Sequence, residues 1–365
     1  MHICIIGAGP AAAYFIKECL IRSSAATFDV FEQSSKLLGN LRKGVAPDQH
    51  RIRETIPALE KIFLSDQRVS LHRGMHMGTD ISLKDVQKKY DAVVIATGAE
   101  PNTIAVPGAE HIIRADQVME WISENRPVSA NGRIAVLGHG NVALDVARVL
   151  LHAQRMGSSS LSGVQVEEVD VIGRSPPDLS KFTTPVLAEF LSHPTSISIS
   201  ERVCRWIRKV SSAGTFPRAV ERKALLLSSG KKPTSKTARF IFWEAPTQVN
   251  RTKTECGKRM LSEEEPAASA LSNETLRITN PGYKYTLTTV DDRGVERKAE
   301  YDGIVSAVGY KPRPLQDLLE GVTVPVYRVG WASTEGRGTL ADAYVSAIET
   351  ASALFPDGAA HAGLE

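Results

Sequence analysis

Gly7-Ala8-Gly9-Pro10-Ala11-Ala12 and, 131 residues further on, Gly138-His139-Gly140-Asn141-Val142-Ala143 carry the same chemical pattern twice. In each, the first glycine permits a tight turn and the second lets the backbone approach a pyrophosphate. The alanine that closes the pattern allows close helix packing, and the phosphates then meet free N–H groups at the positive end of a helix. After the first turn, Thr27-Phe28-Asp29-Val30-Phe31-Glu32 reads as a strand ending in a carboxylate placed to accept from ribose hydroxyls. After the second, Val169-Asp170-Val171-Ile172 ends in Gly173-Arg174. With no acid at that tip, the arginine is free to pair with the 2′-phosphate of NADP. Two such turns imply two dinucleotides, a flavin held in place and a nicotinamide that exchanges, with electrons passing between them.

The elements that must position these turns are legible around them. His2-Ile3-Cys4-Ile5-Ile6 is a short apolar run that feeds the first turn, followed by a helix-compatible stretch to about Arg22. Gly132-Arg133-Ile134-Ala135-Val136-Leu137 feeds the second in the same order of strand, turn and helix. A third buried strand, Tyr90-Asp91-Ala92-Val93-Val94-Ile95-Ala96, ends in Thr97-Gly98, and a near copy runs from Tyr301 to Gly309-Tyr310. The small residues at both ends suit close contact with a cofactor, or a plain core strand.

Taken together these residues resemble the adrenodoxin-reductase type of ferredoxin–NADP reductase, within the glutathione-reductase-like flavoproteins. The match spans almost the whole chain. Its most specific parts are Gly44-Val45-Ala46-Pro47-Asp48, the run from Gly138 to Arg148, Ser306-Ala307-Val308-Gly309-Tyr310, and Gly330-Trp331 with Gly338-Thr339-Leu340. The resemblance implies an α/β fold of two Rossmann-like domains, with the NADP domain inserted in the FAD domain. FAD would be held by residues 1–105 and 313–365, NADP by 106–312, and electrons would go to an iron–sulfur ferredoxin. Gly7, Gly9, Pro10, Ala11, Glu32, Leu41, Thr97, Gly98, Trp331, Gly338, Thr339 and Leu340 are the expected FAD contacts; Gly138, Gly140, Asn141, Val142 and Arg174 are those to NADP.

The departures bear on activity. Gln49 stands where the family has a histidine, Val186 where it has a carboxylate facing the nicotinamide, and Ser175 where it has a second arginine. No side chain is assigned as an acid or base, because the cofactors carry the chemistry; Gln49, Trp331 and Gly338 are expected near the flavin. The thinned polar cluster keeps a second reading open: a weakened FAD-binding relative that serves as a component of a larger assembly, RNA-containing or not.

Composition bounds the partners. With 42% apolar and 23% charged residues the chain is an ordinary α/β composition, and no apolar run approaches the roughly 18 residues of a membrane span. No secretory or arginine-rich leader is visible, so the mitochondrial matrix address implied by the family is not written in these residues. Cys4, Cys19, Cys204 and Cys256 form no Cys-x-x-Cys pair, which excludes a redox dithiol of that kind, and no metal or iron–sulfur ligand set is visible. Residues 201–239 hold 11 Lys or Arg against two Glu, while the whole chain carries only +3. Arg202, Arg205, Arg208 and Lys209 fall on one face of a helix and are the expected dock for an acidic ferredoxin. A solvated helix face and an RNA contact are the other readings of that segment. Residues 158–163 read as a flexible loop, 247–275 as a surface excursion and 356–365 as a loose tail.

Overall fold

The computed structural model describes residues 1–229, 234–254 and 275–356. Lys231 and Lys232 of the basic segment, Cys256, the Glu263-Glu264-Glu265-Pro266 run and residues 357–365 of the tail lie outside them. The chain divides into two compact units: Met1–Val45, Gln49–Asn102 and Tyr310–Glu365 form the first, Ala46–Asp48 and Thr103–Gly309 the second.

The first unit is built on a five-stranded parallel sheet, in the order Val326–Arg328, Ala92–Ile95, His2–Ile6, Thr27–Glu32, Val69–Arg73. Ile3 and Ile5 enter one core, together with Phe15 and Ile16 of the helix Pro10–Arg22, while Cys4 and Ile6 enter another beneath the opposite face. A strand buried on both faces reads as a continuous apolar run, which is why this one was visible in the sequence. Strand order reverses between His2–Ile6 and Ala92–Ile95, the place where such sheets open a crevice for ligands.

The second unit repeats the device. Its parallel sheet runs Ile113–Arg114, Gly303–Ser306, Val128–Leu137, Gly163–Gly173, Thr237–Phe242, Ser196–Ile199, and it reverses between Gly303–Ser306 and Val128–Leu137. One face packs under the helices Asn141–Leu151 and Thr184–Ser192 through Ile134, Val136, Val169, Val171 and Phe240. The other is covered by an antiparallel sheet of Glu244–Lys253, Tyr283–Asp291 and Glu296–Tyr301, whose Tyr283, Tyr285, Leu287 and Tyr301 meet Ala135, Leu137 and Ile172.

Two local expectations are corrected. The start of the supposed excursion, residues 247–253, belongs to a strand paired with Tyr283–Asp291; only Glu244 and Val249 along it are buried, so its period is too faint to read. Residues 158–163 are not loose, because Ser160 and Leu161 are buried in a helical turn and Gly163 begins a strand.

Candidate functional site

In the first unit the turn after His2–Ile6 is fixed by what surrounds it. Gly7 sits at φ +100°, its N–H donates to Phe31 O at 2.8 Å, and a Cβ there would lie 2.6 Å from Ala96 O. Only glycine fits that backbone and that gap. Gly9 precedes the helix Pro10–Arg22, with Pro10 in the first turn; that turn holds neither an acid nor a side-chain cap. Its free N–H groups therefore present an uncompensated positive end. Glu32 accepts from Ala8 N and Ser34 N, each at 2.8 Å, so its carboxylate is anchored at the mouth of the turn with lone pairs to spare.

Thr97 and Gly98 lie where Ala96 meets this turn. The Thr97 hydroxyl is buried without a hydrogen-bond partner, and Gly98, at φ +69°, has open space where a Cβ would project. An orphaned hydroxyl beside an uncapped helix end fits a polar, phosphate-bearing ligand. Ala11 abuts Gly330, which could not carry a Cβ because it would fall 2.6 Å from the Ala11 methyl. Trp331 donates its Nε1–H to Gly338 O at 3.1 Å and lies 4.7 Å from the Tyr310 ring, centroid to centroid. Gly336, at φ +78°, is hemmed by Tyr310 and Ala99. Thr339 caps the helix Leu340–Leu354 in a reciprocal box with Asp342, whose carboxyl is held below its ordinary range chiefly by the Thr339 backbone N–H. That helix start already has its acid, whereas the Pro10–Arg22 terminus beside the glycine turn has none. Leu41 is buried in the core, and Gln49 stands just before the short helix His50–Arg53 without a side-chain capping bond.

The second unit reproduces the arrangement atom for atom at the turn. Gly138, at φ +133°, donates to Ile172 O at 2.7 Å, and its Cβ would lie 2.2 Å from Ala307 O. The helix Asn141–Leu151 likewise begins without acid or side-chain cap, and nothing stands within 4 Å of a Cβ built on Gly140. Asn141 Oδ1 accepts from Thr183 N at 2.8 Å, pinning the next helix to this one, and Val142 packs on the core.

The strand tips differ. By the matching turn hydrogen bonds Gly173 is the counterpart of Glu32, and a Cβ on Gly173 would lie 2.6 Å from His139 Nδ1. The buried His139 imidazole fills the volume a carboxylate would need; its Nε2–H donates to Val171 O at 3.1 Å, and burial lowers its pKa to about 4. Arg174 is exposed, with no hydrogen bond or ion pair among the described residues. The histidine between the glycines held no meaning in the sequence; its packing against Gly173 gives it one.

Behind the helix Asn141–Leu151 the side chain of Arg148 is 1% exposed and gathers three carboxylates: Asp48, Asp145 at 2.8 Å and Glu189 at 3.1 Å. Burial, helped by Glu189 and Asp48 and opposed by Arg148, raises Asp145 to about 6. Val186 packs on the core, but Glu189 stands one turn further along the same helix, so a carboxylate does project from it. Cys4 and Cys19 are free and buried; burial pushes the Cys4 thiol up to about 12 and raises Cys19 as well, which makes both poor nucleophiles.

The basic segment is less of a patch than its composition suggests. Arg202 forms a bidentate pair with Asp292 at 2.6 Å and stacks on Trp243, Arg208 pairs with Glu201, Arg239 pairs with Asp170, and Lys223 is buried against Ser180. Arg205 and Lys209, exposed on the helix Glu201–Ala213, have no ion pair among the described residues.

Two parallel sheets, each with a glycine turn at its reversal point, define a flavoreductase fold with two dinucleotide-binding units. The profile of the pyridine nucleotide-disulphide oxidoreductases matches residues 1–193, more than half of the chain, and the chain belongs to that family. Among curated relatives it is 25% identical to the mitochondrial NADPH:adrenodoxin oxidoreductase of Bos taurus over 400 residues, covering 98% of this chain and 78% of that one. It is 27% identical to the enzyme of the same name from Drosophila melanogaster over 389 residues, covering 98% and 80%. Among solved structures, FprA of Mycobacterium tuberculosis in complex with NADPH superposes with a TM-score of 0.76 at 21% identity, over 97% of this chain and 84% of that one, a likeness of fold. No helix of the described residues is long and apolar enough to cross a membrane.

Proposed function

We propose that this protein is an NADPH-dependent FAD oxidoreductase that delivers electrons to a small iron–sulfur protein of the ferredoxin class. The observation that carries the reading is the pair of matched turns with unlike strand tips: Glu32 at the first, Gly173-Arg174 at the second. FAD belongs to the first unit and NADP to the second, the expected FAD domain being 1–105 with 313–365 and the expected NADP domain 106–312. When bound, FAD supplies the chemistry of accepting an electron pair from NADPH and releasing electrons one at a time.

The chain's own residues bind and orient. Gly7, Gly9, Pro10 and Ala11 present the helix end to the pyrophosphate, Glu32 takes the ribose, and the Thr97 hydroxyl and Gly98 backbone offer a polar, uncrowded contact. Trp331, Gly338, Thr339 and Leu340, braced by Tyr310 and Asp342, form the edge of the flavin site. In the second unit Gly138, Gly140, Asn141 and Val142 form the phosphate turn, and His139 denies the tip a carboxylate, so that Arg174 meets a 2′-phosphate without competition. The loss of the histidine at Gln49 and of the acid at Val186 is compatible with turnover, because hydride transfer depends mainly on the cofactors and their alignment.

Relatives that match 98% of the chain are named as oxidoreductases, which favours the enzyme over the assembly component. Their names also place them in mitochondria, and we assign this protein to the same compartment. For the acceptor, the unpaired Arg205 and Lys209 are the proposed dock, with Arg202 and Arg208 secondary because each has a carboxylate partner. The test is NADPH-driven reduction of an acidic ferredoxin beside ferricyanide. Arg205→Glu with Lys209→Glu should raise KM for ferredoxin and flatten its salt dependence, leaving ferricyanide reduction unchanged. Equal ferredoxin kinetics in variant and wild type would remove these residues from the dock.

A further inference from the structure

Between the two sheets of the second unit lies a cavity of about 190 Å³ that the dinucleotide turns do not use. Arg133, Arg239, Arg297 and Lys298 line it, against two carboxylates, Asp170 and Glu244. At neutral pH the lining residues themselves sum to +2, with Glu168 beside Arg133 and Glu296 beside Lys298 just outside them. Its floor is Asp170, 1% exposed, which accepts from Arg133, from Arg239 at 3.0 Å and from Tyr301 OH at 2.8 Å. Its rim is Arg297, paired with Glu244 at 2.7 Å, and the exposed Lys298, paired with Glu296 at 3.2 Å.

Pairing within the lining does not exhaust the donors. Each guanidinium carries five N–H groups in a fixed fork, and Arg239 and Arg297 each use only one nitrogen in the bonds described. Arg133 Nε is buried without a hydrogen-bond partner, its nearest carboxylate, Glu168, standing 3.6 Å away and beyond hydrogen-bond reach. Its four cationic side chains oppose a cation, and although Ile172, Ile241, Leu287 and Ala299 also line it, an apolar molecule would leave the guanidinium donors unpaired. Pockets for drug-sized ligands start at about 300 Å³, so a dinucleotide is too large.

We propose that this cavity is an anion site for a small dianion of phosphate or dicarboxylate type, separate from the NADP turn. The ligand's two charges match the surplus of the lining, and its oxygens take the free N–H donors of Arg133, Arg239 and Arg297 in the planar geometry guanidinium groups favour.

Inorganic phosphate is the probe, titrated calorimetrically into the flavin-loaded full chain at constant ionic strength. Saturating NADP+ is present, so that phosphate cannot enter at the Arg174 turn. A saturable site with a dissociation constant below about 1 mM is expected. Lys298→Glu takes the lining from +2 to zero through an exposed residue and should weaken phosphate about tenfold or more, with NADPH–ferricyanide activity retained as evidence of folding. Arg297→Gln, which removes a fork and leaves Glu244 its Thr289 partner at 2.7 Å, should do the same. No saturable binding up to about 10 mM, tenfold above that limit, would overturn the proposal. So would phosphate binding that neither substitution changes.

Discussion

Gly140→Ala separates what the fold needs from what the nucleotide needs. The residue has φ −102° and ψ 176°, a conformation open to any L-residue, and its new methyl would meet nothing within 4 Å. Alanine is a poorer N-cap than glycine, but it also narrows the unfolded ensemble by about 0.4–1 kcal/mol, so the net change in stability should stay within about 1 kcal/mol. The methyl projects from the turn where the pyrophosphate is proposed to approach. Overpacking of about 1–3 kcal/mol at that contact weakens NADPH roughly 5- to 150-fold. Gly138→Ala is the contrast: φ +133° and a Cβ 2.2 Å from Ala307 O add backbone strain to a clash. Together these cost roughly 2–6 kcal/mol, a large share of a typical folding margin of about 5–15 kcal/mol. Thermal unfolding and anaerobic NADPH titration read the two effects. The reasoning fails if Gly140→Ala keeps wild-type NADPH affinity, or if it melts as early as Gly138→Ala.

Other outcomes follow from the same geometry. Arg174→Ala should reduce the preference for NADPH over NADH by about 10- to 100-fold, the loss of one charge-assisted pair of roughly 1.5–3 kcal/mol; steady-state kinetics with both nucleotides would show an unchanged ratio if Arg174 plays no part. Gly9→Val should yield protein depleted of flavin, because the side chain blocks backbone approach to the pyrophosphate; stoichiometric FAD in the purified variant would refute the assignment. His139, lowered to about 4, stays neutral in the fold while its unfolded counterpart takes up a proton near 6.5, so stability is lost as pH falls through that window, by up to about 3 kcal/mol. Asp145, raised to about 6, works with the opposite sign, its contribution being lost as pH rises, and offsets part of the change. Denaturant titrations at pH 7 and pH 5 should therefore show a smaller pH-dependent loss in His139→Ala than in wild type.

Much of the architecture was legible because both central strands are buried on two faces and run straight into glycine turns, so His2–Ile6 and the end of Val128–Leu137 announce themselves by continuous apolar residues. The antiparallel sheet was not, since Glu244–Lys253 buries so few residues that its alternation fades into polarity. Glycines at 7 and 138 could be read from the motif, whereas the need for glycine at 173, 330 and 336 comes from His139, Ala11 and Tyr310, neighbours brought there only by folding. The charge count in residues 201–239 misled for a related reason. Helix and strand periods turn Lys223 and Arg239 inward, and Asp292, 90 residues from Arg202, neutralises it in space.

The most direct test is the visible absorption spectrum of the purified protein, recorded without oxygen before and after stoichiometric NADPH, then after an oxidised iron–sulfur ferredoxin is added. The account predicts a flavin spectrum that NADPH bleaches and the ferredoxin restores. A colourless protein, or a flavin that NADPH leaves oxidised, would contradict it.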